Sequence, residues 1–538
     1  NNSVLEYIPS DTPILFAQLK PYSAVELMKG FEDNGVYTVW TEEMANDLKP
    51  LRHSTEPNLV MAYHLIEPLL EHLGDPAKLF ELTGMADNQP WYVYSIGLIP
   101  VSKAPIANET VFWQYIDTAA EKANVSYETA TLEGHSYRRY KLSNEVSSQY
   151  ADHLIVSVRD GMATMTLEGD ALGSTTAMAL GFEKPTSSLA NSDILSELTD
   201  KYPLAKNNIG YIDFQRIVGA VTMAEDSALN RHLVAVAQDD RGTKSMLADF
   251  GSDACSTDLN SVAANWPRLV IGQEVDVSAG EVSTQITLET HNQVILGALQ
   301  SLQGHIPDYV GNKDNLFSMA LGIDAGNIAS AVTTIVEDLQ QPSYRCERLA
   351  DIQGHIARED ISKVHIITPF VTGLKGFSMA LFAAEEESFD AMAAFSADDV
   401  GFLIDIYQAF EPELAALRPA INGETIDITN ELAHDFANQS VFAKGSTSHL
   451  ALFSGEHATR TVETLDNKLT PSDALLQITF DYAPLYDLYA SFTDVETDSR
   501  KNSRSAPPVP EFPRINTRDE ILFGFDDNGI TLQSTTQF

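Results

Sequence analysis

A mixed α+β architecture with mainly antiparallel sheets is the fold class this sequence predicts, and three patterns predict it. Strand-like alternation and helix-like spacing recur along the whole 538-residue chain, often as one strand running directly into one helix. Short turns join neighbouring strand patterns, as at Asp160-Gly161 and Ser278-Ala279-Gly280. The period-2 run Val282, Thr284, Ile286, Leu288 sets one face on a core and the other in water, as antiparallel sheets do and doubly wound sheets do not.

In chain order, Ile14 to Leu19 reads as a strand and Ser23 to Phe31 as a short helix that the serine caps. Tyr92 to Ile99 reads as one strand, followed by an amphipathic helix from Glu109 to Ala123 with Val111, Tyr115, Ile116 and Ala119 on one face. Strands then follow at Ser136 to Leu142, His153 to Val158 and Met162 to Leu167. Arg268 to Val277 and Glu281 to Glu289 form a hairpin that leads into a helix from Asn292 to Leu302.

Two correspondences predict an internal repeat. The pentamer Phe-Ser-Met-Ala-Leu occurs at 317–321 and again at 377–381, each read as a strand before a helix, at Asn327 to Asp338 and at Glu387 to Phe395. Tyr211-Ile212-Asp213-Phe214 before a helix resembles Thr479-Phe480-Asp481-Tyr482 before Leu485 to Phe492. The expectation is two related α+β halves, 1–250 and 251–492, with the possible internal repeat in the second. A Pro-rich linker or long loop follows at 493–520, and a C-terminal hairpin at 521–538, turning at Asp526-Asp527-Asn528-Gly529, returns to a sheet.

Composition bounds the function. Apolar residues make up 44% of the chain, enough to form cores. Asp and Glu total 76 against 34 Lys and Arg, a formal charge of −42 with no basic stripe, which excludes nucleic acid held by charge and polybasic membrane contact. Solubility in a salty medium accounts for the excess; a divalent-cation-dependent assembly surface is the alternative. No apolar run is long enough for a transmembrane segment. The two cysteines, Cys255 and Cys346, stand in polar, loop-like surroundings and are expected to form one disulfide, as exported proteins do.

Catalytic signatures are sparse. No two glycines stand two apart, which rules out a Gly-x-Gly-x-x-Gly loop, and Gly30/Gly35 and Gly524/Gly529 lack the phosphate-binding lysine after them. The sequence contains no Gly-x-Ser-x-Gly, Ser-x-x-Lys, His-Glu-x-x-His or Cys-x-x-Cys. Two histidine clusters stand out. His64, Glu67 and Glu71 fall at helical spacings of three and four and are weak candidates for a metal face, with Pro68 counting against the helix; an ordinary solvated face is the preferred reading. His449, with Ser454, Glu456 and His457 beyond it, sits at a strand-to-helix passage that can hold a catalytic group, although Ser454 and Glu456 read more simply as helix caps. No cofactor is expected. Asp526 to Gly529 lacks the alternating oxygen ligands of a calcium loop.

The opening Glu6-Tyr7-Ile8-Pro9-Ser10-Asp11-Thr12-Pro13, the strand Gly210 to Phe214, the start Trp266-Pro267-Arg268-Leu269-Val270 after Cys255, and Tyr344-Arg345-Cys346 together resemble an uncharacterised family of exported, lipid-anchored envelope proteins of Gram-negative bacteria. The resemblance is loose but spans most of the chain. It implies a periplasmic or outer-membrane-associated location, a removed signal peptide and an N-terminal lipid anchor on a cysteine preceding Asn1. It brings no catalytic residues. The expected function is a non-catalytic envelope binding or scaffold protein, partnered by an envelope protein or carrying a hydrophobic small molecule; the alternative is a hydrolase using His449 or His457.

Overall fold

The computed structural model describes residues 3–142, 151–169, 175–385, 388–430, 439–465, 468–488, 490 and 514–538, the side chains of 3, 38–40, 42 and 43 excepted. The chain is α+β, the strand pairs given below are all antiparallel, and it divides into two units. The first comprises 1–291, Arg345–Leu349 and Phe538; the second comprises Asn292–Tyr344 and Ala350–Gln537.

In the first unit the strands are β1 (Ile14–Gln18), β2 (Tyr92–Ile96), β3 (Ile99–Pro105), β4 (Tyr127–Leu132), β5 (His135–Lys141), β6 (His153–Arg159), β7 (Met162–Glu168), β8 (Asn208–Asp213), β9 (Arg268–Asp276) and β10 (Glu281–Glu289). They pair in the order β4-β5-β6-β7-β3-β2-β1-β8-β9-β10. Side chains alternate across a strand, so one register row lies on one face. Tyr94, Leu15, Tyr211 and Val270 stand side by side across four strands, all buried in the largest apolar cluster. Burying each such side chain contributes about 1.5–3 kcal/mol.

Tyr92 to Ile99, expected as one strand, is a tight hairpin. Gly97 takes φ +58°, which side chains rarely adopt, and a Cβ there would lie 2.4 Å from the Nδ1 of His232. That nitrogen accepts the Leu98 N–H at 3.2 Å, and burial pulls the imidazole pKa down to about 4, so it stays neutral as an acceptor. At the end of β10 the buried Glu289 accepts from Lys201 Nζ, Tyr202 Oη and Arg268 Nε, each at 2.7 Å. Those charge-assisted bonds outweigh its desolvation and hold its carboxyl below the usual range.

Cys255 and Cys346 form the expected disulfide, with Cα atoms 4.3 Å apart. Cys255 lies in the first turn of the helix Asp253–Asn265, not in a loop. One turn further on, the buried Asp258 accepts the backbone N–H groups of Arg345 at 2.6 Å and Cys346 at 2.8 Å, seating Arg345–Leu349 in the first unit.

The second unit contains β11 (Phe317–Leu321), β12 (Leu374–Ala384), β13 (Phe389–Ala397), β14 (Ile426–Asp427), β15 (Phe442–Gly445), β16 (His449–Ser454), β17 (Ala474–Asp481), β18 (Arg518–Asp526) and β19 (Gly529–Gln537). Their order is β14-β15-β16-β13-β12-β11-β17-β18-β19. The two Phe-Ser-Met-Ala-Leu pentamers are not copies of a repeating unit: they are antiparallel neighbours in β11 and β12, centred on Met319 opposite Met379. The helix expected from Glu387 to Phe395 is instead β13, held between β12 and β16. The division of the chain falls after His291, not after residue 250, because β8 pairs β9 and keeps the β9-β10 hairpin in the first unit. Residues 493–513 of the expected linker lie outside the described residues. The C-terminal hairpin does return to a sheet, and starts earlier than expected, at Arg518 beside β17.

Candidate functional site

A groove of about 290 Å3 opens within the second unit. Its wall is the helix Val400–Tyr407, begun by Asp399, whose side chain accepts the Phe402 N–H at 3.1 Å. Val400, Leu403, Ile404 and Tyr407 recur at helical spacing and line the groove together. Its floor comes from the sheet: Phe395 and Leu450 are register partners on β13 and β16, and Leu374 lies at the start of β12. The short helix Pro412–Leu417 adds Leu414 and Leu417, and the helix Ser362–Val371 adds Val371. Tyr407 brings the one polar side-chain atom of the lining, and no lining residue carries a charge. An uncharged lining of this kind favours apolar groups by exclusion of water.

The sequence did not single out these residues, although a signal was there: between Asp399 and Gln408 only Asp405 interrupts an apolar run too broad for a one-sided helix. The lining also needs Phe395, Leu374 and Leu450 from distant strands, a juxtaposition that periodicity does not reveal.

The residues chosen from sequence fall elsewhere. His64 and Glu67 lie on the helix Pro57–Glu71, which continues through Pro68. The Nδ1 of His64 is 3.8 Å from a Glu67 oxygen, while the other Glu67 oxygen accepts the Tyr63 hydroxyl. His64 lines a separate cavity of about 480 Å3 with Lys78, Glu81, Gln114 and Lys122, in which Glu67 and Glu71 take no part. Among the described residues no three His, Cys, Asp or Glu side chains come together to hold a metal ion.

His449 begins β16 and His457 follows its end, so five steps along the strand, about 16 Å, separate His449 from Ser454 alone. Buried His449 meets Ser446 Oγ at 3.2 Å in the β15–β16 turn, and His457 stacks on Phe382 with ring centroids 4.4 Å apart. They share no site. Nor do Ser454 and Glu456 cap the helix Glu456–Val462. Its N-cap is Gly455, and Asp390 from β13 accepts the N–H groups of His457 and Ala458, both at 2.7 Å. Gly455 has φ +100°, and a Cβ would lie 2.3 Å from the Asp390 Cγ. Gly455→Ala is therefore expected to destabilise by more than about 1 kcal/mol in urea unfolding, and Asp390→Ala by about 1–2 kcal/mol.

One buried titratable group escaped sequence reading. Lys103 on β3 is 5% exposed, and its Nζ donates to the Thr164 hydroxyl at 2.8 Å. Thr164 stands between Lys103 and Ser157 in one register row, all three buried. Among the described residues no carboxylate pairs with it. Burial first, and the Arg159 charge second, pull its pKa down to about 7.

With this geometry in hand, comparison with known proteins adds nothing: the chain matches no protein-family model, no curated protein and no solved structure.

Proposed function

We propose that this chain is a non-catalytic binding protein of the bacterial envelope, of the exported, lipid-anchored kind its sequence resembles, and that it carries an apolar ligand in the groove of its second unit. The observation that carries the reading is the groove itself, uncharged throughout and of a size at the low end of small-molecule sites. No titratable side chain lines it except Tyr407, and the histidines considered for hydrolysis stand apart from it.

We also propose that the two units are related copies. Supporting this, the strand orders coincide when β4 is set aside, β1, β2, β3 and β8 taking the places of β11, β12, β13 and β17. In each unit a helix follows the third of these strands, Glu109–Lys122 in the first and Val400–Tyr407 in the second. In the first unit that helix is covered by the helix Pro57–Glu71, with Met61 in one buried cluster with Phe112 and Ile116, and with the Tyr115 hydroxyl donating to the Leu65 carbonyl. In the second the corresponding side chains face the groove. The first copy closes the Phe112 and Ile116 face of this helix and leaves beside it a cavity lined by His64, Lys78, Glu81 and Lys122, whereas the groove of the second is uncharged throughout, which makes the second the half suited to an apolar ligand.

Titration with cis-parinaric acid, a fatty acid that fluoresces in apolar surroundings, tests the reading. Saturable binding at one site is expected, weakened at least about tenfold by Leu403→Asp, which sets a carboxylate in the groove. Absence of saturable binding, or equal binding by the variant, would overturn it.

A further inference from the structure

We propose that the helix Ser362–Val371 docks on a phospholipid bilayer with zwitterionic headgroups, setting the mouth of the groove against the membrane from which its ligand is drawn; the source of the ligand rests on the proposed function, the docking does not. The helix reads Ser-Lys-Val-His-Ile-Ile-Thr-Pro-Phe-Val and has no buried residue. Ile366 is 65% exposed, Ile367 61% and Phe370 47%, and Val371 at its end lines the groove. Water is a poor medium for such a helix.

The choice of occupant follows from direction and charge. His365 ties one side of the helix to Thr333 at 3.0 Å, and on the side left open Ile366 and Ile367 are consecutive and project about 100° apart; a protein groove takes one stripe of a helix, so a fluid surface that follows the whole open side suits them better. Over most of the chain the charge of −42 repels phosphates. Between Ile356 and Gly373 it does not: Arg358 and Lys363 balance Glu359 and Asp360. Asp360 is engaged at the helix start, accepting the Ser362 N–H at 3.0 Å and its hydroxyl at 2.5 Å. Among the described residues Arg358 and Lys363 pair with no carboxylate, leaving two cations on the N-terminal side of the helix to meet headgroup phosphates. A second copy docked here would match this balanced segment with its own but would also bring two chains of −42 each close together, which a zwitterionic surface does not. No helix among the described residues is long and apolar enough to cross a membrane, and at 10 residues this one fits the interface.

Co-sedimentation of the whole chain with phosphatidylcholine vesicles tests the docking. The chain is expected to pellet with the vesicles and to remain there in high salt, because the attachment is apolar. Replacing part of the phosphatidylcholine by phosphatidylglycerol is expected to weaken it in low salt. The triple variant Ile366→Ser, Ile367→Ser, Phe370→Ser, at sites already roughly half exposed or more, is expected to fold and to lose at least about tenfold in partitioning. The proposal is overturned if the chain stays in the supernatant, if the triple variant binds equally, if phosphatidylglycerol strengthens binding, or if the variant abolishes only a concentration-dependent dimer seen without vesicles. Parinaric acid titration of the same samples separates the two readings. Vesicle binding without probe binding upholds the docking and removes the carrier; probe binding without vesicle binding does the reverse.

Discussion

Reduction of the Cys255–Cys346 bond is expected to cost about 4–5 kcal/mol of stability, measured as the change in urea unfolding free energy with and without a phosphine reductant. The cysteines are 91 positions apart, and in the chain-entropy account a loop of that length, once opened, gives the unfolded chain about this much free energy. Cys346 is 1% exposed and the Asp258 bonds to Arg345 and Cys346 belong to the native state, so the reduced protein keeps its local geometry and the loss comes from the unfolded side. The double variant Cys255→Ser, Cys346→Ser is expected to reproduce the reduced protein within about 1 kcal/mol, the difference being two hydroxyls placed in a buried site. A change of under about 1 kcal/mol on reduction would mean that the unfolded chain is already constrained around this loop and that the entropy argument does not apply here.

What could be read from the sequence was what is decided locally. Ser23 caps the helix Ala24–Asp33 through the Glu26 N–H, and Asp160-Gly161, both at positive φ, joins β6 to β7, because in each case the deciding groups are within a few residues of one another. β13 was misread because its Ala, Met and Glu neighbourhood favours helices; pairing with β12 on one side and β16 on the other overrides that preference. Tyr92–Ile99 was misread because alternation survives a two-residue turn, leaving Gly97 as the only sign. The pentamers at 317 and 377 were real as a pattern and mistaken in meaning, since strands that pair on one core select similar residues. At the candidate site the limit is sharper. His64 and His449 attracted notice by residue type, while the groove is made of ordinary Leu, Ile, Val and Phe whose meaning depends on what fails to cover them.

Lys103 gives a pH dependence whose sign is opposite to that of a paired lysine. The unfolded lysine titrates near 10.4, the folded one at about 7, so between these values the unfolded chain holds more protons than the folded chain. Stability therefore rises with pH through this window, by at most about 1.4 kcal/mol per pH unit, and the penalty of the buried ammonium is complete below pH 7. From pH 7 to pH 9 the unfolding free energy is expected to increase by about 2 kcal/mol. Higher pH is less informative, because burial holds the phenols of Tyr92, Tyr94 and Tyr211 above the usual tyrosine range, and their ionisation in the unfolded chain lowers stability from about pH 10 upward. Lys103→Met keeps the length of the side chain, removes the titration and leaves Thr164 without the donor it has at 2.8 Å. The variant is expected to be more stable than the parent at pH 7, by about 4 kcal/mol less roughly 1 kcal/mol for the lost hydrogen bond, and its stability is expected to be flat from pH 7 to pH 9. A parent protein with the same flat profile would show that Lys103 keeps its proton in the fold at close to its ordinary pKa, and that Thr164 and the surrounding row solvate the ammonium far better than their burial implies.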